Sequence, residues 1–243
     1  MPRHVPLNNI DHRDLRISTV RAAEYGDDVM SAVTFPAEFR NIQAHYPIVF
    51  QPLANGAEGG FQPIALLGLQ QGQNLFLRHG RWDAPYVPLA IERQPFLIGF
   101  DQGEPVVHVD MDSPRITRGA HEVGEAVFLP YGGHSEYLER VNSVLQALHQ
   151  GLQSTPTFVA ALQRHQLLEP FGLEFEFADG SAHRWAGCHA IHEERLSCLS
   201  GTAVAELHQA GHLHDIYMAV ASVARFRDLI TRADEARRRA LDS

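Results

Sequence analysis

The sequence predicts an α+β fold: a β-rich N-terminal half forming an antiparallel sheet, then a helical pair, a β-hairpin and C-terminal helices, packed as one domain over residues 1–243. Three observations predict it. Between His45 and Met111, short apolar runs rich in β-branched residues alternate with Gly, Pro and Asn turns. From His134 to Pro170, apolar residues recur at helical spacing. Beyond that, Leu-Glu-Phe-Glu-Phe alternates strictly, turns at Asp179-Gly180, and gives way to a helical stripe that runs towards the C-terminus.

The elements follow in order. Residues 1–44 read as an arm with a short strand at Ile17–Val20 and helical turns over Phe35–Ala44, where Pro36 takes a first-turn position that needs no amide proton. His-Tyr-Pro-Ile-Val-Phe (45–50) is a buried strand, and Asn55–Gly60 is a glycine-rich loop. The runs beginning at Phe61 and Asn74 form a hairpin across Gln70–Gln73, with Pro63 marking an edge or a strand start. Two further strands, Pro95–Phe100 and Val106–Met111, are joined by a turn at Asp101–Pro105. Ser135 caps a helix whose face carries Leu138, Val141, Leu145 and Leu148; Gly151 ends it, and Thr155-Pro156 opens a second. Two short helices cover Glu193–Leu199 and Ala203–Ala210, the latter ended by Gly211, and a last helix covers Leu213–Ala240. The alternative organisation is a β-rich part to about residue 130 and a helical remainder.

Composition excludes several functions. Hydrophobic residues make up 44% and charged residues 20%, which is globular and not disordered. The net charge of −9 gives no general attraction to nucleic acid. All 20 basic residues are arginine. A Walker A loop and a pyridoxal Schiff base both need lysine, so neither is encoded. Cys188 and Cys198 match no zinc spacing and no disulfide framework. No segment reaches the roughly 20 apolar residues of a membrane span. The start of the chain carries no signal-like apolar stretch, so the expected location is the cytoplasm, with reduced thiols. Self-association is left open.

Three sets of residues invite a chemical reading. The first is His108, Asp110 and Asp112, which alternate onto one strand face. With a downstream histidine (His121, His134 or His149), His108 and Asp110 fit an iron(II) facial triad. The plainer reading is a solvated strand end that turns at Asp112-Ser113-Pro114. The second set runs from Arg81 and Trp82 through Tyr86 to Arg93 and Phe96. Its prolines and aromatics make a rigid wall, and its guanidiniums suit a carboxylate or phosphate. The plainer reading buries the rings and pairs the arginines with Asp83 or Glu92. The third is His183, His189 and His192 with the two cysteines, and beyond them His208, His212 and His214; none has a paired-ligand spacing. A nucleophile elbow, a dinucleotide glycine fingerprint and a CxxC pair are missing.

The segments HYPIVF, LGLQQGQNLFL, GRWDAPYVPLAIERQPF, VDMDSPRITRGAHEVGEAVF and GHLHDIYMAVASVARFRDLI occur in this order, and the chain resembles the bacterial SapC family from about Leu7 to Ile230. The most distinctive stretch is Asn74-Leu75-Phe76 followed by Gly80-Arg81-Trp82, Tyr86, Pro88, Arg93, Pro95 and Phe96. The resemblance implies a bacterial protein associated with a surface layer, encoded near TonB-dependent receptors and halogenase-like flavoproteins. It brings no catalytic residues and no cofactor. His108 stands where relatives tend to have an apolar residue or cysteine.

The functional expectation is therefore an accessory protein that binds a small ligand or a partner protein, through Asn74, Arg81, Trp82, Tyr86, Arg93 and Phe96. The alternative is a non-haem iron(II) oxygenase built on His108 and Asp110. A structural surface protein is a third reading. Cofactor, ligand and partner are unknown from sequence.

Overall fold

The structure, a computed structural model of the chain, describes residues 3–53, 60–118 and 123–241. The predicted loop at Asn55–Gly60, apart from Gly60, and the histidine at 121 lie outside the described residues. The chain is α+β, with antiparallel sheets and helices in two compact units that interleave along the sequence. The first unit gathers the described residues of Met1–Asp28, Leu77–Asp83 and Leu89–Gln150; the second gathers those of Val29–Phe76, Ala84–Pro88 and Gly151–Ser243.

In the first unit, Phe96–Asp101 and Glu104–Asp110 form the predicted hairpin. Gln102 and Gly103 both have positive φ (50° and 89°), the backbone a two-residue turn needs to match strand twist. His4–Pro6 extends this sheet on the other side of Glu104–Asp110. A second sheet places Leu15–Ile17 between Ile116–Arg118 and Glu125–Ala126. Leu15, Ile17, Phe96, Val109 and Val127 form one core with Leu138, Val141 and Leu145. The helical stripe read from sequence is therefore the face that packs. Ser135 caps that helix, its Oγ accepting from the Leu138 amide at 3.1 Å.

The second unit is built on a five-stranded sheet in the order Leu168–Glu176, Ala182–Ile191, Ile48–Pro52, Phe61–Leu66, Ser31–Val33. Phe39, Phe50 and Phe158 meet edge-on and stacked, with ring centroids 5.8–6.5 Å apart, and all three are buried. Pro63 sits inside an interior strand, where its carbonyl accepts from the Thr34 amide at 3.0 Å. The return bond that its missing N–H cannot make is replaced by Gln62 Nε2, which donates to the Thr34 carbonyl at 3.2 Å.

Three expectations are corrected. The strand Phe61–Leu66 pairs with Ile48–Pro52 and Ser31–Val33, and not with the run after Asn74. Gly68 lies so close to the Gln73 carbonyl that the chain leaves the strand there. The Gln73 amide closes the loop on the Gln70 carbonyl at 3.2 Å, and only the Leu75 amide returns, to the Leu67 carbonyl at 2.8 Å. The paired helices of 134–170 are one helix, Glu136–Arg164, with Pro156 inside it. Gly151 does not end it: a Cβ there would overlap the Phe35 ring, so the glycine is a packing requirement. Ser154 and Thr155 turn their hydroxyls back onto the Gly151 carbonyl at 2.9 and 2.8 Å. The last helix is two, His212–Ser222 and Arg225–Leu241. Ser222 is buried at the break, its Oγ accepting from the Ile48 amide at 2.9 Å and donating to the Ala219 carbonyl at 2.6 Å. Smaller shifts are the first strand, at Leu15–Ile17 in place of Ile17–Val20, and helix ends that move by a residue or two.

Candidate functional site

The six residues singled out between Asn74 and Phe96 do not fall in one unit. Arg81, Trp82, Arg93 and Phe96 belong to the first; Asn74 and Tyr86 belong to the second. Arg81 is exposed on a two-residue strand paired with Leu77–Arg78, and Trp82 beside it is half-buried. Arg93 donates from Nη1 to the Phe96 carbonyl at 2.7 Å, and burial lowers its pKa. Phe96 is fully buried, with the Tyr137 ring 6.2 Å away. The carboxylates expected beside these arginines serve others: Asp83 pairs with Arg78 at 3.3 Å and Glu92 with Arg21 at 2.6 Å.

In the second unit, the Asn74 side chain accepts from the Phe76 amide at 3.0 Å, which shapes its own loop. Tyr86 donates to Glu38 Oε1 at 3.0 Å, Thr34 donates to Glu38 Oε2 at 2.7 Å, and Tyr46 donates to the Tyr86 carbonyl. Glu38 and Thr34 are buried. Burial, then the Glu38 charge and hydrogen bond, raise the Tyr86 pKa well above its ordinary value. The polar atoms of Asn74, Tyr86 and Arg93 therefore hold the fold's own backbone and a buried carboxylate.

His108 and Asp110 are likewise turned to local tasks. His108 Nδ1 lies 3.1 Å from the Val106 carbonyl, and its ring covers Gly99, where a Cβ would overlap it. Asp110 Oδ1 accepts from the amides of Arg3 and Asp112 at 3.0 and 3.1 Å. Asp112 lies past the strand end, 3.8 Å from Arg3 Nε. Of the downstream histidines, His134 pairs with Glu139 at 3.1 Å and His149 lies 6.3 Å from the Phe100 ring. Among the described residues, no three His, Cys, Asp or Glu side chains are grouped to hold a metal.

A buried charge centre escaped sequence reading. Arg115 and Asp27, both fully buried, pair at 2.5 Å; Arg115 also donates to the Ser18 and Val20 carbonyls at 3.2 and 2.8 Å. Arg21 reaches Asp27 at 3.5 Å. The 88-residue separation of Arg115 from Asp27 leaves no local pattern to find. Glu38 and Tyr86, 48 apart, were equally invisible.

The open polar surface lies elsewhere in the second unit. A cleft of about 610 Å³ is lined by Arg164 and His165 at the end of the long helix, by His192, Glu194 and Arg195 around the short helix Glu193–Ser197, and by Cys198 and Ser200 leading into Gly201–Gln209. His192 Nδ1 accepts from the Arg195 amide at 3.4 Å as a helix cap and lies 3.8 Å from Glu169. His165 Nε2 is 3.7 Å from Glu206. Ser200 Oγ is taken by the Ala203 amide at 3.2 Å. Among the described residues, neither Arg164 nor Arg195 has an ion pair. Cys198 is a free, exposed thiol, whereas Cys188 is buried and burial raises its pKa. Of the other histidines read as a set, His189 packs on Phe61 at 4.7 Å, His183 meets Ser181 at 3.1 Å, and His212 meets Phe158 at 5.4 Å. The cleft can hold an anion through guanidinium contacts, and its serine is committed as a cap.

Fold and cleft together define an α+β protein with an open polar cleft in its second unit. The SapC family model matches residues 7–229, and the chain belongs to the SapC family. No curated protein and no solved structure matches it. Among the described residues, no helix is long and apolar enough to cross a membrane.

Proposed function

We propose that this SapC-family chain is a cytoplasmic, non-catalytic binding protein, an accessory to bacterial uptake or surface-layer systems, whose ligand is a small anion held in the cleft at the end of the long helix. One observation carries the reading: Arg164 and Arg195 face the same open cleft without an ion pair among the described residues. Guanidiniums left in that state favour a carboxylate or phosphate in fork-like contact. The aromatic segment then serves as scaffold: Arg93 donates to the Phe96 carbonyl, Tyr86 donates to Glu38, and the Asn74 side chain accepts from the Phe76 amide. The oxygenase alternative has no geometric observation behind it, since His108 and Asp110 each bond to neighbouring backbone.

Calorimetric titration of the full chain with acetate, citrate and inorganic phosphate tests this. Arg164→Ala and Arg195→Ala should each weaken anion binding about tenfold or more, while Trp82→Ala and Arg93→Ala should not affect it. Equal binding by wild type and both cleft variants, or loss of binding in a folded Trp82→Ala variant, would return the site to residues 74–96.

A further inference from the structure

We propose that the ligand is an anionic amphiphile: a carboxylate or phosphate head on a short alkyl or acyl chain. The inference rests on the binding reading above and deepens it. A second hollow of about 190 Å³ shares Arg164 and His165 with the first. Away from that shared rim its wall is mostly apolar, made by Ala160 and Ala161 on the long helix and by Leu207 and Ala210 across from them, with Thr157, Glu206 and His212 also on the lining. A charged cleft and an apolar hollow thus meet at one guanidinium and one imidazole. A molecule that fills both must be charged at one end and hydrocarbon at the other.

The sign of the head follows from the lining. In the cleft, two guanidiniums stand against the single carboxylate of Glu194. The other carboxylate of the groove, Glu206, is exposed and lies 3.7 Å from the His165 imidazole, on the hollow's side of the shared rim. The tail is favoured by the hydrophobic effect, which is worth about fourfold in affinity for each methylene buried.

The test is a homologous series on the full chain: straight-chain carboxylates from acetate to decanoate, the matching alkyl phosphates, and alkylamines, followed by calorimetry. Affinity should climb by about fourfold per methylene and then level off once the hollow is full. Alkylamines should not bind. Carboxylates and phosphates of equal chain length separate the two possible heads. Ala160→Trp and Ala210→Phe, both at exposed positions, should flatten the chain-length dependence and leave acetate binding intact. Circular dichroism confirms their folding. If acetate binds and longer chains bind no better, the tail is refuted and the anion reading survives. If alkylamines, or amino acids through Glu194, bind more tightly than carboxylates, the head is refuted. If no anion binds at all, both readings fall together.

Discussion

The Phe35 ring occupies the space that a side chain on Gly151 would need. Gly151→Ala is therefore expected to destabilise the protein by about 1–3 kcal/mol through overpacking, although helix propensity alone favours alanine by about 1 kcal/mol. The midpoint and slope of urea unfolding decide the sign. Tyr86→Phe removes one of the hydroxyl donors to the buried Glu38 carboxylate. It is expected to cost about 1–3 kcal/mol, measured the same way, with anion binding unchanged. At this scale the sequence was legible where chemistry is local: Ser135 was readable as a cap because its partner is three residues on. Tyr86 was readable as special but not in its role. Its partner Glu38 stands in a different element, and aromatic composition says nothing about which donors remain free.

Helix Glu136–Arg164 survives a proline that would normally divide it. Leu152, whose carbonyl loses its donor to Pro156, lies on the exposed side, where water can replace the bond. Phe158, Val159 and Leu162 continue the buried face past the proline, and that packing outweighs the local penalty. Pro156→Ala is accordingly expected to raise stability by about 1–3 kcal/mol, and thermal unfolding reads the gain; a loss would mean that the proline shapes a bend the core needs. The signals for a break at this point, glycine followed by Thr-Pro, were real as propensities and were overruled by tertiary contact. The converse holds at Ser222, where an apolar stripe reads as continuous helix and a buried hydroxyl bonded to the Ile48 amide marks the end. The hairpins at Asp179-Gly180 and Gln102-Gly103 were legible because turn chemistry and alternation are both short-range.

Across the whole molecule, what sequence could not show is which segments join which unit: the boundaries recur along the chain, and no shift in composition marks them. The cleft was missed for the same reason, since its arginines come from separate elements. The pH response is also a property of the whole fold. Burial holds the imidazoles of His45 and His189 below the ordinary 6.5, and Arg225 adds to the effect at His45. The unfolded chain then takes up these protons more readily, so this part of the stability is present above about pH 6.5 and is lost as pH falls below it. Burial raises the Asp215 carboxyl, whose share runs in the opposite direction. NMR titration should place both imidazoles below 6.5, and the urea midpoint should fall between pH about 7.5 and about 5.5; values above 6.5 for either ring would contradict this. The unequal shelter of the two thiols has a practical consequence. A maleimide dye should attach at Cys198 within minutes and sit beside the cleft as an optical reporter of occupancy. Cys188 should stay dark until the chain opens, so that its delayed labelling acts as a clock for unfolding in the same tube.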